Sequence, residues 1–258
     1  MQQLLSIYKP SGLTPLQVIN SIKKQRPELA NEKITYAGRL DPLAHGVLLL
    51  LIGEETKKRE TYLDLLKTYE FEAVFGLETD TYDVLGLVKA KKEIVSGINV
   101  NLFVNTFVKS HLGKQLQFYP PYSSKAINGK PLFWWARNNR LDEIEMPTRE
   151  IKIYDFRCVS IGNISVKDLK QKVEASITSV HGDFRQKEIW ARWEEVCSTL
   201  QNKTNTLPTA KFYLNCSSGT YVRELVHQLG KAMSCGAIAI DILRTAVGEY
   251  TIKNVEKL

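Results

Sequence analysis

Gly38-Arg39-Leu40-Asp41-Pro42-Leu43-Ala44-His45-Gly46 runs directly into Val47-Leu48-Leu49-Leu50-Leu51-Ile52. The second part is an unbroken apolar run, the pattern of a strand buried on both faces. The first part holds one carboxylate, Asp41, between two glycines. Pro42 drives Asp41 away from helical dihedrals and towards an extended or turn conformation. Gly38 and Gly46 permit sharp turns at either end. The run therefore predicts a stiff loop at the edge of a buried core, presenting one acid with little positional slack. Any turn Asp before a core strand looks similar, so the rest of the chain must decide what the acid does.

The 258 residues include 43% hydrophobic and 24% charged residues, the balance of a globular protein with an ample core. The longest aliphatic run is far shorter than the ~20 residues needed to cross a bilayer. No basic segment followed by a long apolar one opens the chain, so a cytoplasmic protein is expected. Cys158, Cys197, Cys216 and Cys235 are scattered without C-x-x-C spacing, and the four histidines form no ligand pattern. Neither a metal nor a cofactor is expected. The net charge of +7 favours an anionic partner, of which nucleic acid is the commonest. Lys23-Lys24-Gln25-Arg26, Lys57-Lys58-Arg59 and Lys89-Ala90-Lys91-Lys92 are short enough to be solvated faces.

Leu4 to Tyr8 reads as a strand, and Thr14-Pro15-Leu16-Gln17 as a capped helix start leading to about Gln25. Glu54 to Lys67 reads as an amphipathic helix. Tyr69, Phe71, Ala73 and Phe75 recur with the period of a half-buried strand. Short strands follow at about Leu85–Ala90, Ile151–Val159 and Lys211–Asn215. Helices fit Leu102–Leu112, Val166–Ser179, Phe184–Leu200 with Asp183 as cap, and Thr220–Met233. Ile238–Leu243 and Val247–Ile252 close the chain as two strands. This irregular mixture predicts an α+β protein with a mixed, largely antiparallel sheet flanked by helices.

Six segments, in order, resemble the TruB family of tRNA pseudouridine synthases. They are Tyr8-Lys9-Pro10-x-Gly12-x-Thr14, the Asp41 loop, and Lys67-x-Tyr69-x-Phe71 followed by Gly76 and Thr79-Asp80-Thr81-x-Asp83-x-x-Gly86. Pro121-x-x-Ser124 with Gly129-Lys130 and Ala136-Arg137 comes next. Ser218-Gly219-Thr220-Tyr221-Val222-Arg223 and Leu243-Arg244 with Gly248 complete the set. The resemblance implies a pseudouridine synthase fold and one catalytic domain over residues 1–258. It implies isomerisation of uridine 55 in the T loop of tRNA, with the T-arm as partner and no obligate protein partner, acting as a monomer. It makes Asp41 the catalytic aspartate, Arg223 its guanidinium partner and Tyr69 the aromatic that holds a flipped-out base. Substrate contacts fall to Lys9, Tyr36, Arg39 and Lys125, and Leu243 joins a hydrophobic wall.

Those roles suit the residues. The reaction breaks the C1′–N1 bond and rejoins the same base through C5, so nothing is oxidised and no group is carried away. An ionised carboxylate can form a covalent adduct or stabilise the ribosyl centre. A guanidinium keeps it ionised and aimed. Asp80 and Asp83 read as turn residues. Of the neighbours Trp134 and Trp135, one is expected to pack inward.

The chain departs from the family at Tyr36, where a histidine is usual, and at His45, where a small residue is usual. Many relatives append a PUA domain after the segment matching Gly248, and none is expected here. A helical stretch from about Asn163 to Pro208 reads as an insertion, packed as a plain hairpin rather than built to grip RNA. Competing readings are a synthase for another RNA and a catalytically silent RNA-binding or RNA-folding protein. A hydrolase unrelated to RNA would need a second catalytic carboxylate or a metal set, and no sequence motif supplies one.

Overall fold

A computed structural model describes residues 3–91 and 100–258. Lys92 of the third basic group lies outside the described residues. The backbone begins with β1 (Leu4–Lys9), α1 (Pro15–Gln25), β2 (Ile34–Ala37) and β3 (His45–Ile52). It continues through α2 (Arg59–Leu63), β4 (Lys67–Phe75), β5 (Leu77–Thr79), β6 (Val88–Lys91), α3 (Val100–Ser110) and β7 (Gly113–Phe118). Short strands β8 (Ala126–Ile127) and β9 (Lys130–Pro131) precede α4 (Leu132–Arg137). The long β10 (Thr148–Ser165), α5 (Val166–Ser179), α6 (Gln186–Gln201) and β11 (Thr206–Cys216) follow. Last come α7 (Val222–Ala232), β12 (Ala237–Val247), β13 (Tyr250–Thr251) and β14 (Glu256–Lys257).

The main sheet runs β14-β1-β3-β12-β4-β11-β10-β7, with β2 beside β3 and β13 beside β12. Its pairings are antiparallel except β1 with β14 and β12 with β3. The continuous apolar run of β3 is explained by cover on both faces. Leu48 and Leu50 pack with Val18, Ile19 and Ile22 of α1, while Val47, Leu49 and Leu51 pack with Tyr62, Leu65 and Val247. All five residues from Val47 to Leu51 are fully buried. At roughly 1.5–3 kcal/mol per buried side chain, this strand is a main anchor of the fold. Tyr69, Phe71, Ala73 and Phe75 share the other large core with α3 and α7. Val74, Ile238 and Ile240 face the opposite way and are covered by α5 and α6.

The capping box at Thr14 forms as the sequence predicts, with Gln17 N–H donating to Thr14 Oγ1 at 3.3 Å. Several other expectations need correction. The helix expected over Leu102–Leu112 is α3, Val100–Ser110, and the chain is already in β7, paired with β10, at Gly113. Glu54–Lys67 is a 3-10 turn and one short helix, and Lys67 already belongs to β4. The two closing strands are mostly one, β12, whose long apolar run was split by its polar residues Arg244 and Thr245. The helical insertion is shorter than 163–208, because β10 and β11 stay paired out to Ser165 and Thr206. Its α6 is capped by Arg185 in a left-handed conformation, and Asp183 serves one step earlier by accepting from Arg185 N–H at 3.3 Å.

Candidate active site

The Asp41 loop leaves β2 and enters β3 where β3 and β12 run parallel. Most loop carbonyls cannot reach a ladder, and buried ones need donors. Two buried cations supply them. Lys9 Nζ donates to Pro10 O at 2.9 Å, Pro42 O at 3.0 Å and Ala44 O at 2.6 Å. Arg244 donates to Val47 O at 2.8 Å, Arg39 O at 3.3 Å and Gly38 O at 3.1 Å. Gly12 N–H and Ser11 Oγ hold Pro42 O and Leu43 O at 2.9 and 3.0 Å. Gly38 and Gly46 take positive φ values of 79° and 105°, as the sequence predicts. Carbonyls on both sides of Asp41 are thus held, which fixes its direction.

Arg223 meets it from the first turn of α7. The preceding turn, Ser217–Thr220, ends β11 and points the helix start at the loop. Arg223 Nε donates to Asp41 Oδ2 at 2.8 Å and lies 3.6 Å from Asp83 Oδ2. Its two terminal nitrogens donate to Thr81 O and to Tyr122 O. Arg223 is 3% exposed, and Asp41 keeps 29% of its side chain accessible. Burial opposes the arginine's charge, but Asp41 and Asp83 outweigh it and raise its pKa. Burial also pushes Asp83 up, opposed by Arg223 and the Thr81 hydroxyl, which donates at 2.6 Å. A cation between two acids fixes one carboxylate while leaving it reachable. Asp83, read from sequence as a turn residue, is a member of this pair's surroundings. The acid pair spaced three apart in the 80–83 loop carried that signal without revealing its partner.

These groups lie along a cleft of about 690 Å³. Tyr69, Ile242 and Arg244 form its inner wall, with Tyr36, Arg39, Tyr122 and Arg149 among its lining residues. Tyr69 and Arg244 are directly opposite on β4 and β12. Burial raises the Tyr69 pKa, so its hydroxyl is protonated at neutral pH. Arg39 donates to the Tyr36 hydroxyl at 2.9 Å and to Ser124, tying the Asp41 loop to the 120–125 segment.

Two expected substrate contacts are corrected. Leu243 is not on the wall: side chains alternate along β12, so Ile242 and Arg244 face the cleft and Leu243 turns away. Lys9 is fully buried, and its ammonium is taken up by loop carbonyls rather than offered to a ligand. Burial lowers its pKa to about 7, with Asp41 opposing. Lys125 is exposed beside the cleft, 5.5 Å over the Tyr119 ring, and outside its lining. Trp135 packs inward, as expected of one of the pair, while Trp134 is bracketed by Lys130 and Arg140 at 5.2 and 5.4 Å.

The family model for TruB family pseudouridylate synthase, N terminal domain, matches residues 26–183. That span holds Asp41, Tyr69 and Asp83. The chain belongs to the TruB family of pseudouridylate synthases. It is 32% identical over 255 residues to tRNA pseudouridine synthase B of Clostridium novyi, covering 98% of this chain and 70% of that protein. It is 27% identical over 254 residues to the Rickettsia akari protein of the same name, covering 98% and 70%. Among solved structures, a Cbf5-Nop10-Gar1 complex matches with a TM-score of 0.59 at 18% identity, over 99% of this chain and 52% of that one. An H/ACA RNP bound to a substrate RNA containing 2′-deoxyuridine matches with a TM-score of 0.57 at 18% identity, over 99% and 50%. The chain therefore spans about half the length of these solved chains, and at that identity the likeness speaks to the fold.

Proposed function

We propose that this protein isomerises uridine to pseudouridine in tRNA, at position 55 of the T loop, with Asp41 as its catalytic aspartate, acting as the ionised carboxylate. Membership of the family supports the reaction class. The observation that carries the residue roles is the Arg223–Asp41 pair at 2.8 Å in a cleft walled by Tyr69. The base leaves its stack and enters the cleft, at a cost of a few kcal/mol that contacts in the pocket offset. Asp41 acts on the ribose as the C1′–N1 bond breaks, forming a covalent adduct or shielding the ribosyl cation. The uracil turns within the cleft, C5 bonds to C1′, and Asp41 is released. The C5 proton leaves and N1 ends with a proton, so atoms and electrons balance without an added reactant. Tyr69 stacks on the base, and its neutral hydroxyl, beside Arg244, takes part in that proton movement. The lining cations Arg39 and Arg149, with Lys125 beside them, meet RNA phosphates. The chain acts alone, as a cytoplasmic monomer.

The test is conversion of an unmodified tRNA transcript, read at each uridine by carbodiimide labelling and primer extension, because the isomerisation leaves the mass unchanged. Wild type is expected to form one pseudouridine in the T loop. Asp41→Asn is expected to lose product by orders of magnitude while keeping RNA affinity, since an amide is no anionic nucleophile. Near-normal product from that variant would end the mechanism, and product elsewhere would move the site.

A further inference from the structure

The α5–α6 hairpin is balanced in charge, and its cations are largely engaged. Lys170 pairs with Glu194 at 3.4 Å, Lys172 with Glu72 at 3.6 Å and Arg192 with Glu195 at 2.5 Å. This is not the cationic stripe that grips a phosphate backbone. At the tip between the helices, however, Arg185 reaches away from the hairpin and into the cleft lining. It adopts a left-handed φ of 62°, which an arginine rarely takes without support. The support is local. Asp183 Oδ1 accepts Arg185 N–H at 3.3 Å, and Gln186 Nε2 donates to Gly182 O at 2.7 Å.

The guanidinium of Arg185 meets two loops at once. It donates to Asp80 Oδ2 at 2.9 Å and lies 4.5 Å over the Tyr122 ring. The next residue after Asp80 is Thr81, whose carbonyl accepts from Arg223. The Tyr122 carbonyl accepts from Arg223 too, at 3.4 Å. So the two backbone groups that orient the Arg223 guanidinium sit on the two loops that Arg185 presses together. We propose that Arg185 is a positioning residue for the Arg223–Asp41 pair, through which the α5–α6 hairpin sets the geometry of the site. The effect on turnover rests on the function proposed above; the effect on Arg223 does not. A fork that bonds a carboxylate while its face covers a ring suits this double contact, and a point ammonium does not.

The experiment compares wild type, Arg185→Gln, Arg185→Lys, Asp80→Asn and the Arg185→Gln/Asp80→Asn double variant. On a T-arm hairpin, kcat is expected to fall about tenfold in Arg185→Gln with KM little changed, as for a small misplacement of reacting groups. The double variant should lose no more than the worse single one, because both remove one contact. Arg185→Lys should recover only part. Trp193→Phe is the control: it loosens the hairpin at its hydrogen bond to Gly86 O, 3.2 Å long, and should lower Tm while leaving kcat unchanged. The second readout needs no turnover: hydrogen exchange of Arg223 Nε–H, followed by NMR, should quicken in Arg185→Gln and not in Trp193→Phe. If wild type makes no pseudouridine in any RNA, the function falls and the Arg223 exchange still decides the positioning role. Unchanged Arg223 exchange in Arg185→Gln, or an equal change in Trp193→Phe, overturns the proposal.

Discussion

Arg223 shows why a charge-conserving change can be severe. Its Nε holds Asp41 while its terminal nitrogens hold two carbonyls, a three-way contact that needs a planar fork. Arg223→Lys is expected to cut kcat at least about a hundredfold, because one ammonium cannot aim the acid and satisfy both carbonyls. Full activity in the lysine variant would remove Arg223 from the orienting role. Its neighbour Glu224 poses a different question. Glu224 is buried, and burial raises its pKa to about 7, against the pull of the Gln228 amide and Arg223. The folded state therefore binds the proton more tightly than the unfolded chain. The resulting stability is complete below the ordinary carboxylate pKa and is lost as pH rises to about 7. Glu224→Gln should remove that slope and stabilise the protein at pH 8 by about 2 kcal/mol, measured by urea unfolding at pH 5 and pH 8. An equal response at the two pH values would show that Glu224 titrates normally.

At the scale of elements, the site is made where β3 and β12 part and α7 begins. At Gly46 backbone meets backbone closely. A Cβ there would lie 2.2 Å from the Arg244 carbonyl oxygen, on top of the strain of a φ of 105°. Neither obstacle is a flexible side chain, so the parallel β3–β12 pairing itself would have to shift. Gly46→Ala should cost about 3 kcal/mol or more and lower kcat with it, since the shift displaces the carbonyls that hold the Asp41 loop. Thermal unfolding and turnover together check this; a stable, active variant would mean that the pairing yields easily. This element-scale contact was only half legible in the sequence. Glycine at position 46 marks a close approach, but which strand approaches depends on β12, two hundred residues along the chain.

At the scale of the whole molecule, the α5–α6 hairpin is part of the fold. It covers Val74, Leu77, Val84, Leu85, Ile238 and Ile240 with a surface that includes the fully buried Ile189 and Trp193. Replacing residues 166–205 by a short turn should therefore leave an aggregating or unfolded protein, seen by gel filtration and circular dichroism. At about 1.5–3 kcal/mol for each large side chain uncovered, the loss exceeds a typical total stability. A folded, monomeric deletion variant would show that the hairpin is an appendage.

Local features were readable because local chemistry imposes them. Pro42 and its flanking glycines, the Thr14–Gln17 box, the apolar run of β3 and the alternation of Tyr69, Phe71 and Phe75 act over a few residues, and the sequence alone determined those elements. The ordered motifs also named Asp41, Tyr69 and Arg223. What the sequence could not show was which groups spend their charge on one another. Lys9 looked available for a ligand until its ammonium was found closed in by the carbonyls of Pro42 and Ala44. Leu243 and Ile242 are equally apolar, and only the pleat of β12 chose between them. Asp83 and Arg185 joined the surroundings of Arg223 from loops far apart in sequence. Such pairings depend on distance and desolvation, which are properties of the packed chain, so only the tertiary structure decided them.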